Sequence, residues 1–200
     1  MHPELEEKIL NCNLCQSLGI DFKTQREENL NFAYNYKPDL VKILWIVESP
    51  PKADPPRYFY RPELTRYDSL FRETMKALDI DFTDSKEDAL CEFQRQGHFL
   101  IDSMKCPADK SNSYLKPQMR NNCKNILKEE IVYLDPEKIL IIKADVYNPV
   151  IDLLYEIDNE YPELQISARV LNKNAIPFPG SGQQGRFREF VKEYLKLDQY

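Results

Sequence analysis

The residue types best suited to chemistry in this chain are four cysteines, which lie in two widely separated pairs. Cys12 and Cys15 form a Cys-x2-Cys pair near the start, and Cys106 and Cys123 bracket a polar, proline-containing loop past the middle. A tight turn with two thiolates supplies half of a tetrahedral site, and the second pair can supply the other half. Four sulfur ligands suit either a 4Fe-4S cluster or zinc, and spacing alone does not decide between them. The alternative is a set of unconnected buried cysteines.

A second chemically suggestive segment lies near the end of the chain, where Gly180, Ser181, Gly182 and Gln183 form a turn. Backbone amides exposed at the start of a helix make a natural seat for phosphate. Arg186 follows on the predicted helix and adds positive charge. The segment therefore predicts a phosphate-binding loop, and the alternative is a simple turn before a solvated helix face.

The composition describes the protein that must position these groups. The chain has 200 residues, of which 42% are hydrophobic and 30% charged, as is typical of one soluble globular domain. No apolar run is long enough to span a membrane, and the acidic first residues do not resemble a secretory signal. We therefore expect a cytoplasmic protein whose cysteines bind metal. The net charge of −6 disfavours tight non-specific nucleic-acid binding but leaves room for a local basic face.

Apolar patterns predict strands and helices in alternation. Continuous apolar runs predict buried strands at residues 42–47, 98–102, 138–142 and 165–171. Helical spacing predicts helices at residues 4–15, 68–78, 123–133, 147–158 and 185–197. This order favours a three-layer α/β/α sandwich around a parallel, four-stranded sheet. Ligands bind at the carboxyl ends of strands in such sheets, which selects the segments that begin at Glu48, Asp102 and Pro177.

The order of these features resembles the uracil-DNA glycosylase superfamily, most closely its iron–sulfur branch (family 4). In that branch a Cys-x2-Cys pair precedes a buried strand and a Gly-Glu-Ala/Gly-Pro-Gly-type motif. An Asn-x-x-Lys-Cys segment, a fourth cysteine and a His-Pro-Ser-type loop follow. The matching segments here are residues 12–15, 47–51, 102–106, Cys123 and 178–182, so the resemblance spans nearly the whole chain. It implies one uracil-DNA glycosylase-like domain over residues 1–200, with a cluster-binding N-terminal segment.

The resemblance also implies an activity and a cofactor. Enzymes of this kind hydrolyse the N-glycosidic bond of a damaged or deaminated base in DNA, after the base has left the stack and entered a pocket. A 4Fe-4S cluster would be held by the four cysteines, with zinc as the second possibility. DNA would be the partner of a monomeric protein, through salt-dependent contacts to a local basic face.

Two carboxylates and three aromatic residues receive roles from this resemblance. Glu48 matches the motif glutamate and would position or activate water, although a strand-end carboxylate can also cap a helix. Asp102 would read the base edge and would be the second catalytic residue beside Glu48. Tyr58, Phe59 and Tyr60 lie where the family has its stacking ring, and one or two of them could instead pack in the core.

Three departures from the family pattern alter the expected specificity. Asp102 stands where the family has asparagine, and an ionised carboxylate offers acceptors only, so it favours a base edge with an amino or N–H group. Uracil would fit only if burial keeps Asp102 protonated. Phe178 replaces the histidine of the last loop, and Val47 and Pro51 replace two glycines. We therefore expect a glycosylase of altered specificity. The alternatives are a non-catalytic module that binds nucleic acid or a nucleotide, and a metal-stabilised protein-interaction domain.

Overall fold

A computed structural model describes residues 3–19, 22–52, 57–65, 67–108, 113–180 and 182–196. Within these residues there are seven α-helices and three β-strands. The helices are α1 Pro3–Asn11, α2 Lys23–Asn35, α3 Ser69–Ala77, α4 Lys86–Arg95, α5 Lys116–Leu134, α6 Ala144–Glu160 and α7 Gln184–Lys196, and the strands are β1 Ile43–Val47, β2 His98–Asp102 and β3 Lys138–Ile141. Short 3-10 helices are formed by Gln16–Leu18, Ser113–Leu115 and Ile166–Arg169.

The three strands form one parallel sheet in the order β2-β1-β3. Trp45 in the central strand lies beside Leu100 on one side and Leu140 on the other. The strands are buried on both faces, which is why their sequences are continuous apolar runs without alternation. Three of the predicted strands are therefore confirmed, and the architecture is α/β, compatible with three α/β/α layers.

The outer edge of β2 is paired by a side chain. The Tyr60 hydroxyl donates to the Leu100 carbonyl oxygen at 3.2 Å and accepts from the Leu100 backbone amide at 2.7 Å. The Tyr60 ring is fully buried among other aromatic rings. Its hydroxyl thus satisfies two backbone groups that a neighbouring strand would otherwise have to pair.

The outer edge of β3 differs from the prediction. Residues 166–169 form a 3-10 helix, and the chain then forms two isolated parallel bridges, between Val170 and Ile139 and between Ile176 and Ile142 just after β3. Between the bridges, the buried Asn172 side chain accepts from the Ile141 amide at 2.9 Å and donates to the Ile141 carbonyl oxygen at 2.8 Å. An amide side chain therefore pairs this edge where the sequence predicts a fourth strand.

The helices form two contacting groups around the sheet. Helix α1 contacts both α2 and α5, α5 contacts α6, and α3 packs against α7, while α4 packs on β2. The first group includes a small apolar cluster of Leu5, Ile9, Leu30 and Ile126, which holds α1 on α2 and α5. No helix among the described residues is long and apolar enough to cross a membrane.

Candidate functional site

A cavity of about 330 Å³ opens at the carboxyl ends of β1 and β2. It is lined by residues 47–51 after β1, by Asp102 at the end of β2, by the aromatic segment at residues 57–59, by the start of α3, and by Phe178. Its volume lies within the usual range of small-molecule sites. The segments after β1 and β2 lie side by side, because the Ser103 amide donates to the Val47 carbonyl oxygen and the Met104 amide to that of Glu48. The cavity thus brings together side chains from all three predicted strand-end segments.

Glu48 lies in this cavity with one oxygen atom paired and the other unpaired. Oε2 accepts hydrogen bonds from Lys143 Nζ at 2.6 Å and Lys116 Nζ at 2.9 Å. Oε1 is buried and has no hydrogen-bond partner among the described residues. Burial opposes ionisation, but the hydrogen bonds and charges of Lys143 and Lys116 outweigh it, so the pKa of Glu48 lies below its ordinary value. Glu48 is therefore an anion whose Oε1 makes no hydrogen bond to the described residues and lies 3.9 Å from an Arg120 nitrogen.

Asp102 is a buried carboxyl group that accepts a hydrogen bond from Tyr58. The Tyr58 hydroxyl lies 3.1 Å from Asp102 Oδ2, and both side chains line the cavity. Burial raises the pKa of Asp102 to about 7, although the Lys105 charge and the Tyr58 hydrogen bond favour its ionised form. Near neutral pH the site therefore contains both forms of Asp102. The neutral form offers one donor and one acceptor, as asparagine would.

The three aromatic residues of the predicted base-binding set have different positions. Tyr58 and Phe59 line the cavity, and Phe59 packs edge-on against Phe71. Tyr60 does not line the cavity, because its hydroxyl is committed to the edge of β2. Its base-binding role is therefore not supported. Phe178 is 41% exposed at the rim, where the family pattern has histidine.

The predicted phosphate loop uses much of its own hydrogen-bonding capacity. The Gly180 amide donates to the Phe178 carbonyl oxygen at 2.8 Å, and the Gln183 amide donates to that of Gly180 at 3.1 Å. Gly182 has a φ of 85°, which glycine adopts readily, and Ser181 lies outside the described residues. Two of the amides expected to bind phosphate are thus already used within the turn.

The cations after this loop face protein groups. The Arg186 guanidinium lies over the Phe190 ring at 5.6 Å, and Arg188 forms an ion pair with Glu73. Lys192 pairs with Asp79 at 2.8 Å. Two of these three cations are therefore neutralised by carboxylates, and Arg186 lies over an aromatic ring.

The four predicted metal ligands lie near one another. Cys15, Cys106 and Cys123 belong to one buried apolar cluster, in which Cys15 and Cys106 are hydrogen-bonded to each other. Cys12 is half-buried just after α1, and Arg26 links its carbonyl oxygen to Cys106 Sγ. Cys91, in contrast, is exposed on α4.

N–H donors surround these thiols in the way that thiolate ligands require. Arg26 Nη1 lies 3.4 Å from Cys106 Sγ, and the Lys105 backbone amide lies 3.5 Å from Cys123 Sγ. The buried Arg26 also donates to the carbonyl oxygens of Leu10 and Cys12 at 2.9 and 2.8 Å, so it ties the N-terminal segment to this group. The donor set suits negatively charged sulfur ligands.

The thiols as placed do not form a single-ion site. In the described part of the chain, no group of three or more His, Cys, Asp or Glu side chains is arranged to hold one metal ion. The hydrogen bond with Cys106 lowers the pKa of Cys15 to about 6, whereas sharing that bond and burial raise the pKa of Cys106. What fits a thiolate-ligated group is the chemistry of the set: three buried thiols in one cluster, with N–H donors beside Cys106 and Cys123.

Lys143 is a site residue that sequence reasoning missed. It follows the third predicted strand, so the strand-end rule that selects Glu48 and Asp102 also selects Lys143. Lys116 and Arg120 lie in the first turns of α5, and their spacing of four residues places them on one face. Both turn toward Glu48.

Comparisons with known proteins leave this site to be interpreted from its own geometry. No protein-family model matches the chain, and searches of curated proteins and of solved structures found no similar protein. The resemblance to the uracil-DNA glycosylase superfamily thus stays a prediction from the motifs.

Proposed function

We propose that the protein is a DNA base-excision glycosylase whose specificity differs from that of a uracil-specific enzyme. The observation that carries this proposal is the single cavity that joins two carboxyl groups in different states with aromatic side chains. Glu48 is kept ionised by its lysine partners, and burial raises the pKa of Asp102 to about 7. A pair of carboxyl groups whose environments separate their pKa values is the arrangement that acid–base chemistry uses.

Base recognition would rest on Asp102 and the aromatic walls. A base extruded from DNA needs a ring surface for stacking and polar groups for its edge. Tyr58 and Phe59 provide aromatic surface in the cavity, and Asp102 provides the polar group. Neutral Asp102 complements a uracil-type edge with a carbonyl and an N–H group, whereas ionised Asp102 complements an edge that carries an amino group.

Hydrolysis would use Glu48 to orient water. Cleavage breaks the bond between the sugar C1′ and the base nitrogen, and the oxygen atom of water forms the new bond to C1′. Glu48 would accept a hydrogen bond from that water through Oε1, a buried atom without a hydrogen-bond partner among the described residues, which entry of the nucleotide would have to expose. Its charge would stabilise the positive charge that develops on the sugar. The electron pair of the broken bond leaves with the base, and neutral Asp102 can donate a hydrogen bond to it. The proton that the attacking water loses ends on the departing base, so the products are the free base and an abasic sugar with a hydroxyl group at C1′.

The four cysteines would hold a 4Fe-4S cluster in this proposal, with zinc as the second possibility. Such a group would supply folding energy by linking the segment after α1 to the loop after β2 and to α5. Arg26 and the Lys105 amide are already placed to offset the charge of the sulfur atoms. No step of base excision is assigned to the metal.

A non-catalytic nucleotide- or nucleic-acid-binding module is the second candidate function. Two lysines are bound to Oε2 of Glu48, and Phe178 occupies the place of a proton-donating histidine. Both features weaken catalysis but leave the aromatic cavity intact.

A strand-nicking assay separates these two functions. Metal-loaded protein is incubated with labelled oligonucleotides that each carry uracil, hypoxanthine, xanthine or an alkylated base, in single and double strands, before alkaline cleavage of abasic sites. We expect cleavage at one lesion, a loss of at least tenfold in Glu48→Gln, and changed base preference in Asp102→Asn. Glu156→Gln, in an exposed ion pair on α6, is the control that keeps activity. Binding without cleavage of any substrate would favour the binding module.

A further inference from the structure

Three cations from two helical segments surround the Glu48 side chain. Lys143 Nζ lies 2.6 Å and Lys116 Nζ 2.9 Å from Oε2, and an Arg120 nitrogen lies 3.9 Å from Oε1. The exposed fractions of these cationic side chains are 29%, 17% and 18%, so water screens them incompletely. They therefore act strongly on a charged group placed beside them.

The cations outnumber the carboxylates that face them. Among the described residues, Lys116 and Arg120 have only Glu48 as an ion-pair partner, and Lys143 also meets the exposed Asp145 at 3.6 Å. Three cations against two carboxylates leave one positive charge in excess. Helix α5 begins at Lys116, and Lys143 precedes the first residue of α6, so the positive ends of two helix dipoles add to this charge.

The backbone of Lys143 is strained. Its φ of 80° and ψ of 132° are unfavourable for a residue with a Cβ atom, and glycine adopts a positive φ without this cost. Strain of this kind persists where the surrounding structure imposes it, and it is concentrated at functional sites. Here it accompanies a side chain that reaches both the cavity and Glu48.

We propose that Lys116, Arg120 and Lys143 form an anion subsite that holds a phosphate group of the nucleotide whose base occupies the cavity. The identity of the ligand rests on the proposed function, whereas the anion site rests on the charges alone. Lysine and arginine are the usual phosphate ligands, and Lys143 places this subsite at the wall of the cavity. The subsite replaces the glycine loop near residue 180 as the principal phosphate contact.

The first test uses inorganic phosphate, which requires no base. The thermal midpoint of unfolding is measured against phosphate concentration at constant ionic strength, for the wild type, Lys143→Gly and Lys116→Gln. Lys143→Gly removes the ammonium group and relieves the backbone, so we expect it to fold. Lys124→Gln on α5 removes an equal charge from an exposed pair with Glu156 and is the control. We expect phosphate affinity to fall about tenfold in both site variants and to be unchanged in the control.

The second test asks whether the subsite binds the phosphate group next to the nucleotide that occupies the cavity. An uncleavable oligonucleotide carries a tetrahydrofuran residue, and the linkage on its 5′ or 3′ side is either phosphate or neutral methylphosphonate. For the wild type, one of the two replacements should weaken binding about tenfold, and for Lys143→Gly the same replacement should have little effect. Equal losses in the wild type and Lys143→Gly would overturn the subsite. Neither test requires turnover. A protein that passes both tests but cleaves no substrate would therefore refute the proposed glycosylase activity and support the anion subsite.

Discussion

Asp102 is a buried carboxyl group whose protonation makes the free energy of unfolding depend on pH. Its ordinary pKa is 3.8, and in the folded protein burial raises the pKa to about 7 against the opposing effects of Lys105 and Tyr58. The folded state therefore holds a proton that the unfolded chain has lost. The free energy of unfolding should fall as pH rises from about 4 to about 7 and should not change further above that range because of this group.

Asp102→Asn should remove this dependence. At pH 4 the variant and the wild type should be similarly stable, and at pH 8 the variant should be more stable by on the order of 2–4 kcal/mol, since an amide has no charge to bury. Urea unfolding at pH 4, 6 and 8 measures the difference. Asp152→Asn, on an exposed part of α6, should follow the wild type at each pH. If Asp102→Asn keeps the wild-type pH slope, another group is responsible.

The protonation state of Asp102 should also determine which base binds more tightly. Below pH 7 neutral Asp102 both donates and accepts, so oligonucleotides with an extruded uracil-type base should bind more tightly at pH 6 than at pH 8. A base edge that carries an amino group should show the opposite preference. Fluorescence anisotropy gives the dissociation constant at each pH, and an abasic oligonucleotide of the same sequence corrects for pH effects that do not involve the base. The ratio of the two corrected dissociation constants measures the preference. Asp102→Asn should show no such inversion.

At the scale of elements, the sequence predicts those parts whose buried face is apolar. The three strands and most helices have continuous or periodic apolar residues, so their existence is predictable. Helix α2 was not predictable in this way, because its buried face includes Arg26 and Asn29. The Arg26 side chain points inward and donates to Cys106 Sγ. A charged residue therefore interrupts the apolar stripe of α2. The pairing of sheet edges by Tyr60 and Asn172 likewise depends on tertiary contacts.

Asn172 should stabilise the β3 edge through both of its amide atoms. In Asn172→Leu the backbone amide and carbonyl oxygen of Ile141 lose buried partners, and we expect a loss of about 2–4 kcal/mol in the free energy of unfolding. Asn172→Asp keeps an acceptor for the amide but offers no donor, so it should also destabilise the protein at neutral pH. Asn174→Leu changes the same residue type two positions further on, at an exposed site, and should cost little. Urea unfolding is the measurement, and equal effects at positions 172 and 174 would contradict this role.

At the scale of the whole molecule, the cysteine group and the cavity share the loop that follows β2. The Lys105 amide donates to Cys123, while its ammonium group donates to the Asp102 carbonyl oxygen at 2.8 Å and pairs with the buried Glu130. Further along the loop, Ala108 lines the cavity. The sequence motifs predict both sites, but the connection between them depends on how this loop folds.

Loss of the cysteine ligands should therefore loosen the cavity without unfolding the sheet. Cys106→Ser should lose the proposed metal, expose the loop after Asp102 to hydrogen exchange and weaken oligonucleotide binding at least tenfold, because Lys105 and Ala108 belong to that loop. Cys91→Ser, which changes an exposed cysteine on α4, is the matched control and should leave all three properties unchanged. Metal content, hydrogen exchange by mass spectrometry and anisotropy measure them. Strands β1 and β3 should stay protected, because their core of Leu44, Trp45 and Leu140 does not depend on the loop. Normal protection of the loop in metal-free Cys106→Ser would show that the two sites are independent.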